Sequence, residues 1–255
     1  MLKRAPRKVV QPYFALAPIY DDVMEHVDYE RWALYVHKLL QKFDHNADLI
    51  ADISCGTGSC GQYLLELGYR VTGSDSSPAM VLQAEKKAAR EAWNIHYYCA
   101  DMCRQPLKRH PDAVVSLYDS MNYLLTDQAW STCLSEVYAI LDSGGKFIFD
   151  VSTLHNSLRD FSNYRQKEKV DGGAFVRQSS FEKKTNLQEN YFEITLDDNP
   201  EILFCETHRQ VIRSLDEIIS FIDKSQFELV AGYKNFTFKP YTEKSERVHF
   251  VLQKR

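Results

Sequence analysis

The sequence predicts an α/β protein: a doubly wound, mostly parallel sheet with a closing antiparallel strand pair, plus a small antiparallel β insertion. Three observations lead there. Between residues 48 and 152, short apolar runs alternate with helical stripes at the spacing of successive β/α units. From 165 to 213 the rhythm changes to the apolar–polar alternation of antiparallel strands. Two segments, "QFELVAGYKNF" and "RVHFVLQKR", then end the chain as a strand pair.

Each element has a local reason. Residues 28–43 put Trp32, Tyr35, Val36, Leu39, Leu40 and Phe43 on one helical stripe. "DLIADI" (48–53) reads as a buried strand, followed by a glycine-rich loop and a helix, "GQYLLELG", stopped by Gly68. "YRVTGSD" (69–75) is the next strand, and Ser77 with Pro78 supplies an N-cap and first-turn proline for a helix over 78–92. "IHYYCAD" (95–101) and "DAVVSLYDS" (112–120) are the third and fourth strands. A helix over 126–141 follows, then Gly144–Gly145 and the strand "KFIFDVS". In the insertion, "GGAFVRQSS", "ENYFEITL" and "ILFCETHRQVI" are strands, with turn residues at Asp197–Pro200. Ser214 and Glu217 form a capping-box spacing ahead of "IISFID". The expected organisation is an amino-terminal segment 1–27, a core of 28–164 and 214–255, and the insertion 165–213. Right-handed crossovers place the ligand crevice at the carboxyl ends of the parallel strands.

Composition narrows the function classes. The 255 residues are 44% hydrophobic and 26% charged, an ordinary soluble balance. A net charge of −4 implies no bulk attraction to nucleic acid. Lys3, Arg4, Arg7 and Lys8 leave about −8 on the remainder and read as a solvated tail. No apolar run approaches the roughly 18 residues of a membrane span, and no signal-peptide pattern follows Met1. A cytoplasmic monomer or homodimer is expected, with neither membrane nor nucleic acid as partner. The six cysteines read as free thiols, and the spacing of Cys55, Cys60, Cys99 and Cys103 is unlike structural zinc, so no metal is expected.

The loop "ADISCGTGSCGQ" (51–62) carries the chemistry. Gly56, Gly58 and Gly61 have G-x-G-x-x-G spacing, which lets a ligand lie against backbone. Asp75, at the end of the second strand, can accept two hydrogen bonds from a ribose diol. These features suit a dinucleotide or a phosphate-free adenosine; the lesser alternative is a plain glycine turn with a turn-forming Asp. Asp52 at the loop entrance would repel a pyrophosphate and favour an ammonium group. Asp101, in "CADM", can meet the exocyclic amine of an adenine or cap a turn.

With these motifs together, the sequence resembles the S-adenosylmethionine-dependent methyltransferases of the Rossmann-like class, over roughly 20–160 and 206–255. The family loop, [D/E]-x-G-x-G-x-G, is Asp52-Ile-Ser-Cys-Gly-Thr-Gly58 here. "YRVTGSDSSPAM" resembles its second motif, which implies Asp75 on the ribose and Met80 near the adenine, with Ser76 also at the cofactor. "CADM" implies Asp101 and Met102 around the adenine. "YDSMNYL" (118–124) resembles the segment flanking the methionine part and the substrate, which brings in Tyr118. "LDSGGKFIFDVST" resembles the join into strand five. "YFALAPIYDDVM" resembles the lid of small-molecule methyltransferases, with Tyr20 and Asp21 matching its recurring pair. The resemblance thus implies S-adenosyl-L-methionine as cofactor, with Tyr20, Asp52, Ser54, Gly56, Gly58, Asp75, Ser76, Met80, Asp101, Met102 and Tyr118 around it. Two positions depart from the pattern: Ser54 replaces the first loop glycine, and Gln226 replaces a glycine before the sixth strand.

The insertion resembles that of enzymes acting on small amines and amino-sugars, where an antiparallel sheet roofs the pocket. A small-molecule substrate is expected. The nucleophile of an amine acceptor must be neutral, and Asp119, His155 and His208 are the candidates for orienting or deprotonating it. Arg177 and Arg209 could hold an anionic substrate or lie on a solvated strand face. A nicotinamide oxidoreductase explains the glycines and Asp75 equally well, but not Asp52, "CADM" or the closing strands. A non-catalytic cofactor-binding module is a third reading, supported by Ser54.

Overall fold

The computed structural model describes residues 5–43, 46–107 and 110–255. Lys3 and Arg4 of the basic amino-terminal cluster lie outside them.

The strands are β1 (Arg7–Val9), β2 (Leu49–Asp52), β3 (Arg70–Asp75), β4 (His96–Cys99), β5 (Ala113–Ser116) and β6 (Lys146–Ser152), then β7 (Asn163–Val170), β8 (Gly173–Glu182), β9 (Leu187–Leu196), β10 (Asn199–Val211), β11 (Phe227–Lys234) and β12 (Arg247–Lys254). The helices are α1 (Tyr20–Val23), α2 (Tyr29–Lys42), α3 (Ser59–Glu66), α4 (Pro78–Arg90), α5 (Asp127–Ile140), α6 (Leu154–Asn156) and α7 (Leu215–Lys224). Seven strands form the main sheet in the order β11-β12-β6-β5-β2-β3-β4. The pairs among β6, β5, β2, β3 and β4 are parallel, whereas β11 and β12 close the sheet antiparallel.

Strand residues alternate between two buried layers. Ile50, Val115 and Ile148 pack with α2, α3 and α4. Ala51, Val114, Phe147 and Phe149 pack with α5 and α7. The caps read in the sequence form. The Ser77 hydroxyl accepts from the Met80 N–H at 3.4 Å ahead of α4. Ser214 and Glu217 close a reciprocal capping box on α7.

The second sheet has the order β1-β10-β9-β8-β7. Its inner face is divided. One end, with Phe175, Phe192, Ile194, Leu196 and Phe204, packs on Ala15, Leu16, Ile19, Val23 and Met24 of the amino-terminal segment. The other end presents Arg177, Gln188, Asn190, His208 and Gln210 to a cavity.

Three sequence expectations change. Arg7–Val9 are no solvated tail: they pair parallel with Leu203–Cys205 as an edge strand, and Arg7 bonds Glu193. β7 is an unanticipated strand, "NYRQKEKV", because an exposed, charge-rich edge strand carries no apolar alternation. The expected strand 112–120 stops at Ser116, because Tyr118 and Asp119 adopt left-handed backbone at φ 61° and 54°. Among the described residues no helix is long and apolar enough to cross a membrane.

Candidate active site

A cavity of about 1780 Å³ lies between the carboxyl ends of the parallel strands and the second sheet. Its floor is the glycine loop. Of the three glycines, Gly56 lines the cavity at φ 55°, with no atom within 4 Å of where its Cβ would stand. The structure does not bring Gly58 to the cavity: a Cβ there would meet the Tyr97 hydroxyl at 2.5 Å, and Gly61 packs against the same ring. These two glycines make room for Tyr97 beneath α3, whose hydroxyl donates to the Gly58 carbonyl at 3.2 Å.

Two carboxylates stand at the floor. Asp75 accepts from the backbone N–H of Gly56 at 3.0 Å and of Ser77 at 2.8 Å, so it fixes the loop it faces. Burial raises its pKa, and those two hydrogen bonds oppose the rise. Asp52 is 3% exposed and accepts from the Ser54 N–H at 3.1 Å. Burial pushes its carboxyl up to about 7, and the charge of Asp75 adds to the effect. A cationic ligand group would return it to the ionised form.

Ser54 needs no glycine, since its φ is not positive. Its hydroxyl lies 3.1 Å from that of Ser116 at the end of β5, so the departure from the family loop is absorbed by the neighbouring strand. Ser76, Met80, Asp101 and Met102 also line this half. Asp101 accepts from the Cys103 N–H at 2.7 Å, a local turn bond.

The amino-terminal segment is tied to the loop. Asp21 accepts from the Thr57 hydroxyl at 2.5 Å and from Lys87 Nζ at 2.8 Å, and Lys87 also donates to Ser59 at 2.8 Å. At the other end Glu206, 0% exposed, accepts the backbone N–H groups of Tyr13 (2.8 Å), Ala15 (2.5 Å) and Leu16 (3.0 Å). Glu206 also bonds His208 Nε2 at 3.0 Å. His208 Nδ1 lies 3.3 Å from the Tyr123 hydroxyl, which lies 2.6 Å from that of Tyr13.

Asp119 reaches the cavity in an ion cluster. Its carboxylate takes Arg247 Nη2 at 2.7 Å and Gln210 Nε2 at 2.7 Å. Arg247 also bonds Asp150, whose carboxylate accepts the Tyr118 and Asp119 N–H groups at 2.6 and 2.9 Å. Asp150 thereby holds the two left-handed residues and aims the Tyr118 ring. That strained pair sits at the cavity wall. Burial raises the pKa of Asp119 and Asp150 alike, and Arg247 opposes the rise. Burial also pushes the Tyr118 phenol up to about 12.

His208, Tyr20 and Tyr118 line the cavity, whereas the structure does not bring His155, on α6, to it. Arg209 lies exposed and paired with Glu189 at 2.7 Å. Sequence reading missed Arg247, Asp150, Glu206, Tyr13 and Tyr123. Capping and loop patterns do not reach them, because each acts across a long separation in the chain.

Residues 50–145 match the family described as "Methyltransferase domain". The chain is 28% identical, over 247 residues, to YqeM of Bacillus subtilis (strain 168), to which a methyltransferase activity is ascribed; the match covers 95% of this chain and 97% of that one. Among solved structures it is similar in fold to an S-adenosylmethionine-dependent methyltransferase from Clostridium acetobutylicum ATCC 824 (TM-score 0.80, 22% identity, 94% of this chain and 98% of that one). It is also similar in fold to the sugar N-methyltransferase KedS8 from Streptoalloteichus sp ATCC 53650 (TM-score 0.71, 19% identity, 91% and 92% coverage).

Proposed function

We propose that the chain is a Rossmann-like, S-adenosylmethionine-dependent methyltransferase and that it methylates a small molecule at an amine nitrogen. One observation carries the reading. A single cavity runs from the glycine loop and its two carboxylates to a chamber roofed by the second sheet and lined by Tyr13, Tyr20, Tyr118 and Tyr123. A roofed chamber suits a small acceptor.

The floor fits the donor. Gly56 leaves backbone open to a ligand, and Asp75 faces the cavity as an acceptor for a ribose diol. The buried Asp52 carboxylate favours a cation and opposes a pyrophosphate, which argues for this donor over a nicotinamide dinucleotide. In this reading Asp75 and Ser76 hold the ribose, Met80, Asp101 and Met102 border the adenine, and Asp52, Ser54 and Gly56 border the methionine part. When bound, S-adenosylmethionine supplies a methyl group already activated for in-line displacement. The protein's contribution is then to position the acceptor and exclude water. The amino-terminal segment, pinned through Asp21 and Glu206, acts as the lid.

An amine must be neutral to attack. Asp119 is held by Arg247 and Gln210, so it orients rather than removes a proton. Nε2 of His208 faces the Glu206 carboxylate at 3.0 Å and donates to it, which leaves Nδ1 to accept from the Tyr123 hydroxyl. A proton leaving the acceptor nitrogen can pass to the Tyr123 oxygen as that hydroxyl hands its own proton to His208 Nδ1, which leaves an imidazolium paired with Glu206. The neighbouring sugar N-methyltransferase fold is in keeping with an amine acceptor.

The test is transfer of labelled methyl from S-adenosylmethionine to a panel of matched amines and alcohols. Label on amine nitrogen is the expected result. Label only on the alcohols, or only on protein or nucleic acid, would overturn the acceptor assignment.

A further inference from the structure

Three arginines line the cavity. Arg247 is matched by Asp119 and Asp150, and Arg159 by Asp160 and Glu246. Arg177, on β8, has no carboxylate within ion-pair distance among the described residues. The nearby roof acids are engaged elsewhere: Asp160 with Arg159, and Glu168 with the Gln166 amide at 2.8 Å.

Its guanidinium is nevertheless fixed. Nε and Nη2 donate to Asn190 Oδ1 at 3.3 and 2.9 Å. Asn190 Oδ1 also takes the Ser179 hydroxyl at 2.6 Å. The rings of Phe161, Tyr164 and Phe192 surround the charge, with centroids 5.4, 5.5 and 5.7 Å away. A guanidinium has five N–H donors, so the Asn190 contacts leave the Nη1 fork for a ligand. An arginine held by rings and an amide keeps its charge and a fixed geometry. That is the arrangement for receiving a planar or tetrahedral anion with little entropy lost.

We propose that Arg177 anchors an anionic group, a carboxylate or a phosphate, carried by the methyl acceptor. This rests on the small-amine reading of the cavity and deepens it: the acceptor then bears an amine toward the tyrosine chamber and an anion toward the roof.

The test is a titration of the protein, loaded with S-adenosylhomocysteine, with sodium acetate, inorganic phosphate and inorganic pyrophosphate at fixed ionic strength. The readouts are the Arg177 Nε–Hε resonance and Tm. Saturable movement of that resonance and a raised Tm are expected with at least one anion. Acetate saturating first marks a carboxylate, and phosphate or pyrophosphate first marks a phosphoryl group. Arg177→Gln should weaken the same anion by about tenfold or more, and Arg177→Lys by less, because it keeps the charge and loses the fork. Should Arg177→Gln fail to fold, the wild-type resonance still decides. No movement with any anion at millimolar concentration, or an unchanged response in Arg177→Gln, overturns the proposal. The titration is repeated without S-adenosylhomocysteine. Failure of that ligand to bind would fall on the donor assignment, while anion binding at Arg177 is still read.

Discussion

Glu206→Ala should release the lid. The carboxylate is fully buried, and three of its four partners are backbone N–H groups of residues 13–16. Removing it strands those donors and His208 Nε2 in a dry site, where each charge-assisted bond contributes about 1.5–3 kcal/mol. The full sum is not expected as lost stability. The segment can detach, and the free energy of that local opening caps the cost at about 2–4 kcal/mol. Hydrogen exchange is therefore the sharper readout. Amides of residues 7–24 should lose protection together, since β1 and the packing of Leu16 and Ile19 depend on the same attachment. Glu206→Gln keeps one acceptor oxygen and turns an NH₂ group toward N–H donors, so it should give an intermediate loss. Unchanged protection at Tyr13, Ala15 and Leu16 in Glu206→Ala would remove Glu206 as the anchor.

Arg247→Gln should be the most destabilising change at the cavity, and its effect should depend on pH. The Arg247 guanidinium sits between Asp119 and Asp150 and over the rings of Trp32 and Tyr118, each 5.1 Å away. Breaking a buried pair by removing one partner costs about 3–5 kcal/mol. For a chain of this size that lowers Tm by roughly 6–20 °C. The sign of the pH dependence follows from burial. Both aspartates already have raised folded-state pKa values, and Arg247 is what restrains the rise. Without it the folded-state pKa values climb further above the unfolded ones. The folded state then binds more protons, and stability is lost as pH rises through the new values. The deficit of Arg247→Gln should thus be largest at neutral and alkaline pH and shrink on acidification toward pH 5. Thermal melts of wild type and variant across that range are the measurement. A deficit that grows on acidification, or none at any pH, would show that the cluster does not hold its charges in this way.

The parallel core was legible because its signals are local. The apolar runs of β2, β3 and β6, the Ser77–Pro78 start of α4 and the Ser214–Glu217 box each need only a few neighbouring residues. The cavity floor was legible for the same reason: Asp52 and Gly56 fall in one strand–loop–helix turn, and Asp75 ends the next strand, 19 residues beyond Gly56. What escaped was long-range. Arg247 meets Asp119 across 128 positions, and Glu206 meets Ala15 across 191. No periodicity encodes such meetings; they follow from sheet order and from an amino-terminal segment folded back on the second sheet. The edge strands β1 and β7 escaped because charge and exposure, which protect a sheet edge, erase the alternation that reveals a strand. Gly58 shows a subtler limit. It matched the ligand-loop pattern, yet its missing Cβ leaves room for the ring of Tyr97, a residue two strands away.

The donor assignment at the cavity floor is tested most directly by calorimetric titration of wild type and Asp75→Ala with S-adenosylhomocysteine and with NAD. Asp75 fixes the loop through Gly56 and Ser77 and faces the ligand space beside them. The expected result is one molecule of S-adenosylhomocysteine bound per chain, no NAD, and affinity in Asp75→Ala lower by about 1.5–3 kcal/mol, or roughly 10–150-fold. NAD binding without S-adenosylhomocysteine, or equal affinity in Asp75→Ala, would contradict the account.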